Sequence, residues 1–295
     1  MATAELLERC TFPEGELHLG VSGGTDSVAM ALLARAADRS FTIWHVHHGV
    51  RVGADHDADF VQGLARDWGV PLELRRVDLE PGPNFEARAR AARYAAMPPD
   101  VCVAHTANDR AETVLLNLMR GAGLAGTAAR MASTHRPILA LTRSDTIAVC
   151  GEAGITPCED ETNQDVRNHR AAVRYRVFPE IERSLGRDPV PILNRHADLV
   201  ADALALVGAA AAELDPTDVN ALRAAPRAVA TEALRSWIQT EAQDPYPVDS
   251  ATIDRVLEVV YGNRRAAETL GGHRVARKQG RLSISVASPD GHART

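Results

Sequence analysis

The chain has 295 residues, 45% of them hydrophobic, with a formal net charge of −6. That length supports one large or two modest domains with a real core, and no apolar run approaches the ~20 residues that span a bilayer. The acidic balance weighs against a generally nucleic-acid-binding surface, although a total says nothing about local basic patches.

In chain order, residues 17–21 read as a short buried strand and 27–37, rich in Ala and Leu, as a helix. Between them Ser22-Gly23-Gly24-Thr25-Asp26-Ser27 makes a tight turn. Its glycines let the backbone approach a ligand closely, and the helix N-terminus aims unpaired N–H groups and a positive dipole end at one point. That point suits a phosphate or pyrophosphate. Ser22 and Ser27 add hydroxyls, and Asp26 is placed to hold Mg²⁺ against the phosphates. The competing reading is an ordinary helix cap made by Asp26 or Ser27, which needs only one of these residues. The spacing is neither a Walker loop nor Gly-x-Gly-x-x-Gly.

A strand at 41–46, a helix at 55–68, a strand at 71–77, a helix at 84–97, a strand at 101–104 and a helix at 108–120 come next. This alternation predicts a parallel sheet covered on both faces, with ligands beyond the carboxyl ends of the strands, where Ser22, His48 and His105 fall. Residues 136–139 leave the sheet, 144–152 form a short helix, 157–165 a polar loop, and an Arg-rich helix runs to about 185. The stretch 186–191, with two prolines, reads as a linker. Beyond it come Ala/Leu helices at 192–214, 221–240 and 251–260, a hairpin turning at 278–280, and a frayed tail at 289–295. The expected fold is therefore α/β: a Rossmann-like parallel-sheet domain at 1–187 and a smaller, mostly helical domain at 188–295 ending in a β-hairpin.

The four cysteines, Cys10, Cys102, Cys150 and Cys158, have no Cys-x-x-Cys spacing. They predict reduced thiols, neither a disulfide framework nor a metal knuckle. The N-terminal residues carry Glu5, Glu8 and Arg9 and no signal-peptide core, so a cytoplasmic location without a membrane partner is expected.

A second constellation joins the 101–104 strand to its helix. His105 sits at the strand's carboxyl end, and Asp109 and Glu112, three apart, share one helical face. A histidine and two carboxylates beside a nucleotide site could bind metal, position a nucleophile or move protons. Equally, Thr106 and Asp109 fit a capping box in which Asp109 only caps the helix. The residues alone leave both readings open.

The string Ser-Gly-Gly-x-Asp-Ser resembles the signature of the PP-loop ATP pyrophosphatases, which cleave ATP between its α and β phosphates. Together with 45–51, His105–Thr113, 120–124, 136–137, 160–165 and 173–179, in that order, it resembles the tRNA(Ile)-lysidine synthetase family across roughly residues 15–182. The C-terminal part is similar only in outline and at 270–272. The chain departs from the family's usual pattern at Asn108, where aspartate is usual, at Arg110 (glutamine), at His47 (asparagine) and at Glu161 (proline).

The resemblance implies an ATP- and Mg²⁺-dependent ligase. It would join free L-lysine to carbon 2 of the wobble cytidine of an isoleucine tRNA with a CAU anticodon, through an adenylated base. Ser22, Gly23, Gly24, Thr25, Asp26 and Ser27 would bind ATP, with Asp26 on the metal. Asp26, His105, Asp109 and Glu112 would be catalytic, Asp109 and Glu112 holding the lysine amine or a metal and His105 orienting phosphate or base. A homodimer is compatible with it.

For the RNA, Arg167, Arg170 and Arg174 fall on one helical stripe, and Arg90 and Arg93 match an Arg-rich family segment. Arg264, Arg265, Arg274, Arg277, Lys278 and Arg281 cluster against Glu268 alone. A flipped base could stack on Tyr94 or Trp44. The alternatives are another PP-loop tRNA-modifying enzyme, although thiolase-type cysteine spacing is missing, or a non-catalytic tRNA- or nucleotide-binding paralogue. ATP–pyrophosphate exchange separates the last from the first two.

Overall fold

The computed structural model describes residues 2–49, 54–78, 82, 85–129, 134–158, 168–242, 248–269 and 271–286. Arg167, Glu161, most of the polar loop, Leu270 and the tail at 289–295 lie outside the described residues. The chain divides into two compact units, Met1–Met119 with Ala129–His196, and Arg120–Ala128 with Ala197–Thr295.

The first unit opens with α1 (Ala2–Leu7), then β1 (Leu17–Gly20), α2 (Thr25–Ala36), β2 (Phe41–His48), α3 (Ala54–Trp68), β3 (Leu72–Val77), α4 (Phe85–Ala95), β4 (Cys102–Val103) and α5 (Ala107–Met119). The four strands are parallel, in the order β3-β2-β1-β4, as the alternation predicts. Leu17 pairs with Phe41 and Leu19 with Cys102, so β1 is flanked on both sides. Leu17 and Leu19 are buried while His18 between them is partly open, the period of two of a pleated strand. They pack with Val28, Met30 and Leu33 of α2 and Ile43 of β2 in one core cluster. Each such side chain contributes ~1.5–3 kcal/mol on burial. From β1 the chain builds first toward β3 and then crosses to β4. The strand order reverses at β1, and that reversal opens a crevice beyond the carboxyl ends of β1 and β4.

After α6 (Leu124–Thr127), which belongs to the second unit, α7 (Arg143–Glu152) starts on a full capping box between Thr142 and Asp145. The expected Arg-rich helix is present as α8 (His169–Ala172), a π turn (Val173–Val177) and α9 (Phe178–Leu185). Val173 and Phe178 pack on Ala107 and Ala111 of α5, which fixes the run against that helix. The expected linker shrinks to a short break. Gly186 ends α9 and Pro189 begins α10 (Pro189–Ala212), since proline suits a helix's first turn.

The second unit adds α11 (Val219–Ala224), α12 (Arg227–Ala242), α13 (Ser250–Tyr261) and an antiparallel sheet of β5 (Ala266–Glu268), β6 (His273–Lys278) and β7 (Arg281–Val286). The single helix expected at 221–240 is broken at Pro226, which lacks an N–H and holds Ala225 extended. The hairpin is where the sequence puts it. Lys278 pairs with Arg281 across a two-residue turn with positive φ at Gln279 and Gly280, the type I′ geometry, and β5 adds a third strand. Leu222, Leu234, Ile238, Ile253, Val260 and Val275 fill the core between helices and sheet. No helix among the described residues is long and apolar enough to cross a membrane.

Candidate active site

The crevice is a cleft of about 440 Å³, lined by the turn after β1, the ends of β2 and β4, and parts of α4, α5, α7 and the π turn. Gly23 takes φ 96°, which a side-chain-bearing residue rarely adopts, and so swings the chain from strand into helix. Gly24 is the N-cap of α2 and no side chain caps that end. The competing cap reading is thereby excluded, because neither Asp26 nor Ser27 serves it. Ser27 is instead turned back into the turn. Its Oγ accepts from the Ser22 N–H at 3.1 Å and donates to the Gly24 carbonyl at 2.8 Å. The result is a stiff loop that brings the uncapped N-terminus of α2 to the cleft, the arrangement that binds phosphate.

Asp26 faces the same cleft. Its Oδ1 accepts from the Thr146 hydroxyl at 2.6 Å, and its Oδ2 lies 3.9 Å from Arg143 Nη2, beyond hydrogen-bond distance. Burial pushes its carboxyl above the usual range, offset in part by Thr146 and Arg143. Both partners come from α7, and nothing in the spacing marked them as neighbours of Asp26.

At α5 the two readings of Asp109 coexist. Its Oδ2 accepts from the Thr106 N–H at 2.9 Å and hydroxyl at 3.0 Å, so it does cap the helix. Its Oδ1 accepts from Arg174 Nη2 at 3.1 Å, and the residue lines the cleft. Burial alone would raise its pKa, but the Thr106 N–H, Arg174 and the neighbouring Arg170 hold it below the usual carboxylate range. Glu112 lies behind it with no exposed side-chain surface. Arg174 donates Nε to its Oε1 at 2.6 Å and Nη2 to its Oε2 at 3.1 Å. Burial pushes Glu112 up, and Arg174 opposes the shift. Arg170 Nε stands 3.3 Å from Glu112 Oε2 without hydrogen-bond alignment, while its Nη2 donates to Thr113 Oγ1 at 2.8 Å.

His105, at the end of β4, accepts from Arg136 Nε at its Nδ1, 3.0 Å away. That bond places the ring proton on Nε2. Burial, with Arg136, Arg90 and Arg170 nearby and Asp109 opposing, drives its pKa from 6.5 down to about 4. The ring is therefore a neutral hydrogen-bond donor near neutral pH.

Arg170 and Arg174 both line the cleft, but they are tied to carboxylates and a hydroxyl of α5 rather than forming an open basic stripe. Arg90 and Tyr94 line it too, with the guanidinium 4.9 Å over the ring. Trp44 is engaged on both sides, by His18 and by Arg75. In the second unit the expected basic cluster is less isolated than its sequence neighbours suggest, since Arg281 pairs with Asp215 and Arg277 bonds the Val260 carbonyl. The departure at Asn108 binds the backbone of the cleft-lining Arg143: its Oδ1 accepts from the Arg143 N–H at 2.9 Å. His45 and His47, from the 45–51 segment, also line the cleft; His45 Nδ1 bonds the Val21 carbonyl at 2.8 Å.

A strand, a glycine turn and an uncapped helix facing a carboxylate define a class, and a family model described as a PP-loop domain matches residues 2–181. The fold alone is similar to U34-tRNA thiolase NcsA from Methanococcus maripaludis, at TM-score 0.54 and 13% identity over 68% of this chain and 78% of that one. Across most of the chain it is similar to tRNA(Ile)-lysidine synthases. That of Bordetella pertussis is 34% identical, covering 91% of this chain and 95% of the relative. That of Salinispora tropica is 36% identical, covering 91% and 90%. The Thermus thermophilus relative is longer: at 36% identity, 91% of this chain covers 56% of it. The chain belongs to the tRNA(Ile)-lysidine synthase family, ATP-using ligases with a PP-loop domain.

Proposed function

We propose that this cleft joins free L-lysine to the wobble cytidine of an isoleucine tRNA with a CAU anticodon. In the first half-reaction the cytosine O2 attacks the α-phosphorus of ATP and pyrophosphate leaves. In the second, the lysine ε-ammonium gives a proton to solvent, the free amine attacks carbon 2 of the adenylated base, and AMP leaves. The observation that supports this reading best is the convergence of the uncapped α2 N-terminus, Asp26, His105 and Asp109 on one cleft.

Each residue has a physical task. The amides at the α2 N-terminus, residues 25–27, take the phosphates, and positive dipole there opposes the charge that grows as pyrophosphate departs. Asp26 Oδ2 supplies a hard oxygen donor that suits Mg²⁺, and this residue would hold it at the cleft; when bound, that ion neutralises phosphate charge. His105, neutral with its proton on Nε2, donates a hydrogen bond to phosphate or base. Asp109, held as a carboxylate, attracts the lysine ammonium, and Glu112 acts through Arg174 to keep Asp109 in place. Arg90, Arg167, Arg170 and Arg174 are proposed to meet the anticodon region. Residues 1–187 carry the chemistry and 188–295 grip the tRNA. A homodimer and a cytoplasmic location are proposed with it, the location from the four cysteines without Cys-x-x-Cys spacing.

The test is incubation with ATP, Mg²⁺, labelled lysine and a CAU-anticodon isoleucine tRNA transcript. Label in the RNA is the expected result. Nucleotide and tRNA binding with neither label nor ATP–pyrophosphate exchange would replace it with a non-catalytic binder.

A further inference from the structure

Behind the phosphate turn three side chains of different chemistry converge. His56 and Asp57 stand in the first turn of α3, and Cys158 comes after α7 and a short loop. Their ligand atoms all lie within 4.8 Å of one another, with Cys158 Sγ 3.7 Å from His56 Nδ1. A tetrahedral Zn²⁺, with bonds of ~2.3 Å to sulfur and ~2.0 Å to nitrogen, sets those two atoms about 3.6 Å apart.

We propose that His56, Asp57 and Cys158 form a Zn²⁺ site with water in the fourth position, a feature independent of the lysidine reading. The donor set favours this ion over Mg²⁺, because a thiolate and an imidazole suit a borderline-soft metal and a hard ion takes oxygen. The burial gradient provides a way in: Asp57 is buried, Cys158 half-buried and His56 exposed. On binding, Cys158 gives its thiol proton to solvent as the Zn–S bond forms, so affinity rises with pH.

The position gives the site a consequence. The Cys158 N–H donates to the Gly23 carbonyl at 3.0 Å, and its Sγ lies 3.5 Å from where a Cβ on Gly23 would sit. Asp57 also lines the cleft. A metal held by all three pins α3 and residue 158 to the back of the phosphate turn.

Co²⁺ is the probe, because a thiolate ligand gives it a charge-transfer band in the near ultraviolet. Titration of the full chain should give that band at one equivalent, persisting in excess Mg²⁺ and abolished by Zn²⁺. Cys158→Ser should remove the band. His56→Ala, at an exposed position, should weaken binding by more than the ~10–100-fold that an outer-shell change brings, with the circular dichroism unchanged. No band in the parent protein, an equal band in Cys158→Ser, or unaltered affinity in His56→Ala would each overturn the assignment.

Discussion

Arg174 holds both oxygens of Glu112, at 2.6 and 3.1 Å, where Glu112 has no exposed side-chain surface. Removing one partner of a buried pair strands the other, at a cost of ~3–5 kcal/mol. Glu112→Ala should therefore lower the urea midpoint substantially. The joint change Glu112→Leu with Arg174→Met should recover part of that loss, because apolar volume replaces two desolvated charges while Asp109 is left without its Arg174 partner. Lysidine formation should stay lost in the double variant, since Asp109 loses its Arg174 partner. A double variant as unstable as the single one would show that the pair is a net stabiliser.

His105 sets a pH window. Its folded-state pKa of about 4 lies below the unfolded 6.5, so unfolding takes up a proton between those values. The contribution is full above 6.5 and is lost as the pH falls toward 4, an effect on the order of 3 kcal/mol. Urea unfolding at pH 7, 6, 5 and 4 should show a steeper acid loss in the parent protein than in His105→Gln.

Asp26 and its isostere separate charge from shape. Asp26→Asn keeps an oxygen for the Thr146 hydroxyl and removes a carboxylate whose ionisation burial already disfavours. Stability should not fall. ATP–pyrophosphate exchange should fall on the order of a hundredfold, the loss typical of one missing electrostatic group in a transition state.

Gly23 and Gly24 should respond differently to alanine. Gly23 sits at φ 96°, and an alanine forced into a left-handed conformation costs ~1–2 kcal/mol. Gly24, at φ −76° with Ser22 Oγ 3.7 Å from an added Cβ, accepts alanine without strain. Thermal melts should therefore move only for Gly23→Ala, whose methyl meets Cys158 and Phe60 behind the turn, while the KM for ATP should rise in Gly24→Ala, whose methyl is added at the cleft.

Asn108→Asp should be neutral or stabilising. The aspartate keeps the acceptor for the Arg143 N–H and adds negative charge at the α7 N-terminus, worth ~0.3–1 kcal/mol. Melting temperature and lysidine formation check it together.

The parallel sheet and the phosphate turn were legible because both are local. Period-two burial around Leu17 and Leu19 and the glycines at 23 and 24 declare themselves within a few residues. Contacts that join distant segments were not legible. Thr146 is 120 residues from Asp26, and Arg174 is 62 from Glu112, so no local spacing announces either contact. The arginines at 170 and 174 read as an RNA-contacting stripe, and their partners on α5 stay out of sight because they lie on another helix. The break at Pro226 is visible in the residue itself, since proline lacks the N–H that would continue the helix.

The π turn at Val173–Val177 carries one surplus residue in its loop of backbone, the Phe178 N–H reaching the Val173 carbonyl. Excising a single residue there would restore ordinary winding and rotate α8 by about 100° relative to α9. Arg174 would then be dialled away from α5 although every participating side chain remained. The grip on Glu112 is thus encoded in an indel-sensitive phase of the backbone, and a one-residue deletion would disable it as surely as mutating the arginine.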